Sequence, residues 1–287
     1  MKKFFRDALI TLLLVVLIDY LYGFFLNNEY SEKRSYIKHH SNEITTLVIG
    51  NSLAERGINT SVFGDSAWCF ALGGRAMFYD SELLKLYLPT MQNLHTIIFP
   101  LHYNLHTDVL TDTVLAKDKK YFIYNYYRVF HIPNNTFPEG WLYRSAVLSD
   151  QLHWKSNKGV IFDKFGNTLI DTYYDGKMAN YNPPNQMHID KAIKYLTNMA
   201  QTCAENEVRF IVVTPPFPNT WLEGCTEEGV NNLSMITDSV NSKFPLEYRN
   251  YMYDSSFRND SLYHNWNHLN RYGATLFARQ VKEDFGI

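Results

Sequence analysis

The chain has 287 residues, 27 basic and 29 acidic side chains, and a formal net charge of −2. That balance excludes a protein built mainly to grip nucleic acid, which carries a basic excess. Hydrophobic residues make up 46% and aromatics 16%, too apolar for intrinsic disorder, and the length suits one large domain or two small ones.

The first thirty residues differ from the rest. Lys2, Lys3 and Arg6 precede an apolar run of 19 residues, Ala8 to Leu26, whose one charge is Asp19. About 20 apolar residues span a bilayer core as a helix. A secretory signal has a shorter apolar region and ends in small residues; this run ends in Tyr22, Phe24 and Phe25, and no lipid-accepting Cys follows. The reading is an uncleaved anchor over residues 1–30. Positive charge before the run places the N-terminus inside and the remainder outside a cytoplasmic membrane, as a single-pass protein. Asp19 sits near the headgroups or meets a polar partner in the membrane.

Residues 31–43 read as a polar linker or short helix. Thr45 to Ile49 is a β-branched run closed by Gly50-Asn51-Ser52, a buried strand ending in a tight turn. Phe78 to Leu88 has helical spacing and stops at Pro89. Thr96 to Phe99 is a second strand, Met187 to Asn206 a strongly amphipathic helix, and Arg209 to Thr214 a third strand. Gly229 to Lys243 reads as a helix, Leu246 to Tyr253 as a strand, and Leu269 to Phe285 as a last helix. This alternation over 44–287 predicts an α/β domain: a mainly parallel sheet covered on both faces. Between about 105 and 185 the rhythm breaks. Residues 121–181 hold 15 aromatics in 61 positions, and a hairpin is expected around Asp163–Asn167. Such an insertion is a lid or binding surface for sugar rings or lipid headgroups, or a small accessory core. Of the three cysteines, Cys69, Cys203 and Cys225, at most one pair can bridge, and Cys203 with Cys225 is the only pair near in sequence.

Two motifs carry chemistry. Ser52 follows a strand and a glycine, where ligands sit in open parallel sheets; alone it is equally an ordinary turn or cap serine. Near the C-terminus, Asn265-Trp266-Asn267-His268-Leu269-Asn270-Arg271-Tyr272-Gly273-Ala274 precedes the last helix. His268 could supply the base a serine needs to become nucleophilic. His264 and His268 are four apart, but no third ligand suggests a metal site.

With these two motifs in hand, the sequence resembles the SGNH/GDSL hydrolase superfamily, and within it the membrane-anchored, extracytoplasmic members. The family's first block is matched by Gly50-Asn51-Ser52 and its last by Asn265 to Ala274. The resemblance implies a three-layer, flavodoxin-like domain with Ser52 as nucleophile, His268 as its base and no cofactor. It implies that Gly73 or Gly74 supplies an oxyanion N–H, and that His102 or Asn104 takes the place of the family's oxyanion Asn. Asn265 stands where the family has a triad Asp. Loss of that Asp in a serine protease costs about 10⁴ in rate, so catalysis is slow, or Asp254 or Asp260 helps, or the site is degenerate. The implied activity is that of an esterase or O-acyltransferase on envelope or secreted polysaccharide, beside a membrane-bound acyltransferase. The alternative is a degenerate domain that binds glycan or serves assembly. The near-zero net charge gives no electrostatic preference for an anionic glycan.

Overall fold

A computed structural model describes residues 2–25, 29–103, 162–174 and 189–287; within the first helix, side chains are described through Ile18. The chain divides into two compact units, residues 1–35 with 116–160, and residues 36–115 with 161–287. In the first unit, α1 is Lys2–Phe25, and α2 (Glu29–His40) begins there and ends in the second. Along α1, Leu9, Leu12, Leu13, Val16 and Ile18 are exposed. Among the described residues no helix is long and apolar enough to cross a membrane. The run expected to span, Ala8 to Leu26, extends past the last described side chain of α1.

The second unit is built on five parallel strands: β1 (Thr46–Val48), β2 (Ala67–Cys69), β3 (Thr96–Pro100), β4 (Arg209–Thr214) and β5 (Glu247–Asn250), in spatial order β2-β1-β3-β4-β5. This is the flavodoxin-like order, with its switch point between β1 and β3, where such sheets bind ligands. Every residue of β1, β2 and β3 is buried, the reason these strands read as unbroken apolar runs.

Side chains alternate between the two faces of a strand. Val48, Ile98 and Ile211 are in register. They join a core with Ala54 of α3 (Ser52–Gly57), with Ile58 just after it, and with Ala274, Phe277, Ala278 and Val281 of the C-terminal helix. Among the described residues the longer remaining helices are α4 (Met77–Tyr87), α5 (Ile189–Glu205), α6 (Glu227–Asn241) and α7, the C-terminal Arg271–Phe285. α4 and α6 each pack on α5, while α7 packs on α3. Of the face its spacing predicts, helix α5 buries Ala192, Leu196, Met199, Ala200 and Cys203, while Ile189 and Ile193 are half-buried. Each buried Leu or Met contributes about 1.5–3 kcal/mol.

The three-residue strand β2 was not legible as a strand. Its edge is covered: the Tyr36 ring stacks on Trp68 at 3.6 Å, and the Cys69 N–H donates to the Phe165 carbonyl at 2.8 Å. Covering an edge prevents its pairing with another chain. Phe165 belongs to Asp163–Asn167, where a hairpin was expected and the described residues make a turn with no strand on either side. There the Asp163 carboxylate accepts the N–H groups of Phe165 and Asn167, and Gly166, at φ +80°, allows the Cys69 carbonyl to approach. All three cysteines are free thiols; burial pushes Cys203 and Cys225 up to about 12. Apart from residues 162–174, the aromatic-rich insertion lies outside the described residues.

Candidate active site

Ser52 is the first residue of α3, and the side chain of Asn51 caps that helix by accepting the Leu53 N–H at 3.0 Å. The turn into it needs glycine. Gly50 has φ +121°, and a Cβ there would sit 2.9 Å from Pro100 Cδ. The Gly50 N–H donates to Asp80 Oδ1 at 3.2 Å, and Arg75 Nη1 donates to the same oxygen at 3.1 Å. Burial raises the Asp80 carboxyl to about 6, against the lowering effects of Arg75 and the Gly50 N–H. It is therefore ionised at neutral pH, and a buried ion pair pins the turn that presents Ser52.

The other half comes from the loop before α7. Asn270, fully buried, caps α7 by accepting the N–H groups of Tyr272 and Gly273 at 3.1 Å. Its Nδ2 reaches back to the carbonyls of Ser261 and Tyr263. Gly273 is required because a Cβ would lie 2.1 Å from the Leu262 carbonyl. Leu269 and Ala274 are core residues. Each element of the Leu-Asn-x-x-Gly-Ala motif thus holds the preceding histidine against the sheet edge.

His268 Nε2 lies 2.8 Å from Ser52 Oγ. Its Nδ1 lies 3.1 Å from Asn265 Oδ1. That same oxygen accepts the backbone N–H of Asn267 at 3.0 Å and of His268 at 2.9 Å. An amide nitrogen cannot accept, so these two donors fix the oxygen toward the ring. Nδ1 must then carry the proton, which leaves the Nε2 lone pair facing the Ser52 hydroxyl. The tautomer a general base needs is therefore present without a triad Asp. The cost of losing that Asp is reduced to its missing charge.

Electrostatics make His268 a weak base. Burial, then the positive fields of Arg56 and His264, drive it down to about 3, with Glu55 pulling the other way. Glu55 is the carboxylate whose field reaches His268; Asp254 and Asp260, the acids expected to help, do not appear among the groups acting on it. Asp254 instead caps the Ser256 N–H. His264 is lowered too, by burial and then by Arg56, and its Nδ1 is bonded to Thr172 Oγ1.

Among the expected oxyanion residues, Gly73 is brought to Ser52: a Cβ on it would lie 3.9 Å from Ser52 Cβ and 3.2 Å from Glu55 Oε2. Gly74 follows at φ +74°. His102 is buried after β3, 5.1 Å from the Phe217 ring and 5.8 Å from Trp221. Trp221 in turn packs 4.9 Å from Trp266 of the loop that carries His268. Asn104 lies outside the described residues. No group of three potential metal ligands occurs among the described residues.

Residues 162–174 form a strap that sequence reasoning did not connect to the site. Asn167, 1% exposed, donates to the carbonyls of Glu55 and Ile58 and accepts the Thr60 N–H. Thr168 donates its N–H to the Glu55 carbonyl, Thr172 bonds His264, and the Tyr174 N–H donates to the Tyr263 carbonyl. The strap therefore ties α3, which carries Ser52, to the loop that carries His268. Glu55 and Arg56 were also missed. Their signal was their place three and four residues after Ser52 on one short helix.

No protein-family model matches the chain, and no curated protein matches it. Among solved structures, it is similar to a protein provisionally named a platelet activating factor from Streptococcus pneumonia. The TM-score is 0.47 at 12% identity, over 94% of this chain and 98% of that one. It is also similar to a provisionally assigned acylhydrolase from Bacteroides fragilis NCTC 9343 (TM-score 0.45, 9% identity, 88% and 95% covered). A third is a GDSL-like lipase from Bacteroides thetaiotaomicron VPI-5482 (TM-score 0.44, 9% identity, 90% and 98% covered). All three TM-scores are below 0.5 and identities are 12% or less, so the functional reading rests on this chain's own side chains.

Proposed function

We propose that the chain is a serine esterase or O-acyltransferase acting on ester-bearing polysaccharide of the cell envelope or secreted from it. The observation that carries this reading is the relay Ser52 Oγ–His268 Nε2–Asn265, with the tautomer set for proton abstraction. The Ser52 hydroxyl gives its proton to Nε2 as Oγ bonds the acyl carbon, and the carbonyl electrons move to the oxygen. Backbone N–H groups at Ser52 and Gly73 hold that oxyanion; one such donor is worth about 10²–10³ in rate. The acyl carbon–oxygen bond then breaks, and the leaving alkoxide takes the proton from Nε2. Water or a sugar hydroxyl, deprotonated by the same nitrogen, releases the acyl group from Ser52. Purified protein should release acetate from 4-nitrophenyl acetate and from acetylated oligosaccharides, while Ser52→Ala and His268→Ala should not. Equal turnover by Ser52→Ala and wild type would remove the enzymatic reading.

The reading includes a tether. Three basic residues precede the apolar run, and the apolar side chains of α1 through Ile18, except the half-buried Val15, are exposed. A span through Leu26 places the α/β unit outside a cytoplasmic membrane, next to a membrane-bound acyl donor. Carbonate extraction of membranes tests it: the full chain should stay in the pellet, and its release to the supernatant would contradict the tether. The second reading, a non-catalytic glycan-binding or assembly domain, is favoured by Asn265 and by the low basicity of His268. It predicts glycan binding with no ester turnover.

A further inference from the structure

We infer that Arg56 anchors a carboxylate on the ester-bearing sugar that Ser52 attacks, so that the substrate is an anionic glycan. The inference rests on the proposed esterase or transferase site and names its substrate class. Arg56 lies one helical turn beyond Ser52 on α3, and residues four apart share a helix face. Arg75, Arg209, Arg249 and Arg271 in the same unit are each paired with an acid. Arg56 is half-buried and has no acid partner among the described residues, and its Nε is enclosed with no hydrogen-bond partner. Glu55 precedes it in sequence, but that side chain is buried and accepts from Thr168 Oγ1. A guanidinium without an acid thus sits on the short helix that presents Ser52. Its field reaches both His264 and His268 and opposes positive charge on each.

A cation beside a base that must itself become a cation hinders catalysis unless something neutralises it. A substrate carboxylate does so and also fits the guanidinium fork in two parallel hydrogen bonds. Bound there, it would favour proton uptake by His268, coupling recognition to turnover. The rest of the sugar has a surface nearby. Tyr173, next to the Thr172 that bonds His264, stacks against Tyr272 at 6.3 Å, and the two are 59% and 61% exposed. With a net charge of −2 the chain has no global attraction for anions; the selectivity is local.

The test uses the full chain with two ester probes, acetylated galacturonan oligosaccharides and acetylated xylo-oligosaccharides, and calorimetric binding of unesterified oligogalacturonate. Wild type should prefer the carboxylate-bearing ester, bind oligogalacturonate, and lose that binding in high salt. Arg56→Gln should lower the ratio of anionic to neutral kcat/KM by about tenfold or more, with weaker calorimetric binding, and neutral ester turnover should rise. Arg56→Lys, which keeps the charge without the fork, should fall between and guards against a folding defect in the first variant. A ratio unchanged in both variants, or no oligogalacturonate binding by wild type, overturns the inference. Turnover of neither ester with binding intact would instead count against the enzymatic reading alone.

Discussion

His268 Nδ1 faces the side-chain oxygen of Asn265 at 3.1 Å, and two backbone N–H groups hold that oxygen in place. Asparagine here supplies orientation and tautomer but no charge, and the consequences can be separated by substitution. Asn265→Asp keeps an acceptor for the same three donors and adds the charge that stabilises imidazolium. It should raise kcat/KM for an activated ester and move the acid limb of its pH profile upward. Asn265→Ala loses both and should cost about 10²-fold or more. Equal rates for the alanine variant and wild type would show that the oxygen does not set the ring.

The pH profile of wild type follows from the same ring. A histidine lowered from about 6.5 to about 3 is neutral, and so competent as a base, throughout the range above pH 4. The acid limb of kcat/KM should lie near 3. An inflection between 6 and 7 would mean that the ring is far better solvated than its burial implies.

Stability should carry the converse signature. Below about 6.5 the unfolded chain takes up a proton on His268, and the folded chain does not until about 3. Folding therefore loses stability as pH falls through that window, by at most about 1.4 kcal/mol per pH unit from this residue. His268→Gln removes the loss. Its Tm should gain on wild type between pH 7 and pH 4, whereas a constant difference would contradict the burial of an uncharged ring.

The Arg75–Asp80 pair is buried at both ends. Asp80→Ala leaves Arg75 without its acid and the Gly50 N–H without its acceptor. Breaking such a pair destabilises by about 3–5 kcal/mol, which urea denaturation should register together with loss of Ser52 reactivity. A change below 1 kcal/mol, as is usual for exposed pairs, would show that the carboxylate is not confined.

Gly50→Ala tests the turn itself, since the new methyl meets Pro100 in a backbone conformation that alanine disfavours. The variant should lose more ester turnover than Gly64→Ala. Gly64 also has positive φ but has nothing within 4 Å of its Cβ position, so the pair separates backbone strain from contact. Equal losses would leave Pro100 without a role.

Long apolar strands and the amphipathic α5 were legible in sequence because their burial imposes a pattern: β3, β4 and α5 fall within a few residues of their predicted bounds. β2 was not, because Ala67-Trp68-Cys69 has none of the β-branched residues that mark the equally short β1. The two motifs that supply Ser52 and His268 were legible, since turn and cap chemistry demands Gly50, Asn270 and Gly273 at fixed spacings. The partners of His268 were harder to see. Arg56 and Glu55 act through a helix too short to announce itself, and Asn167 and Thr172 reach the site from about a hundred residues away. The direction of the Asn265 amide depends on two backbone N–H groups and is invisible in its letter code.

The central claim is that Ser52 is an activated nucleophile, and covalent labelling with a fluorophosphonate tests it most directly. Intact-mass and peptide analysis of wild type should show a single adduct on Ser52, formed across pH 5–8 and absent from Ser52→Ala. An adduct that persists in Ser52→Ala, or wild type that remains unlabelled at every pH, would contradict the account.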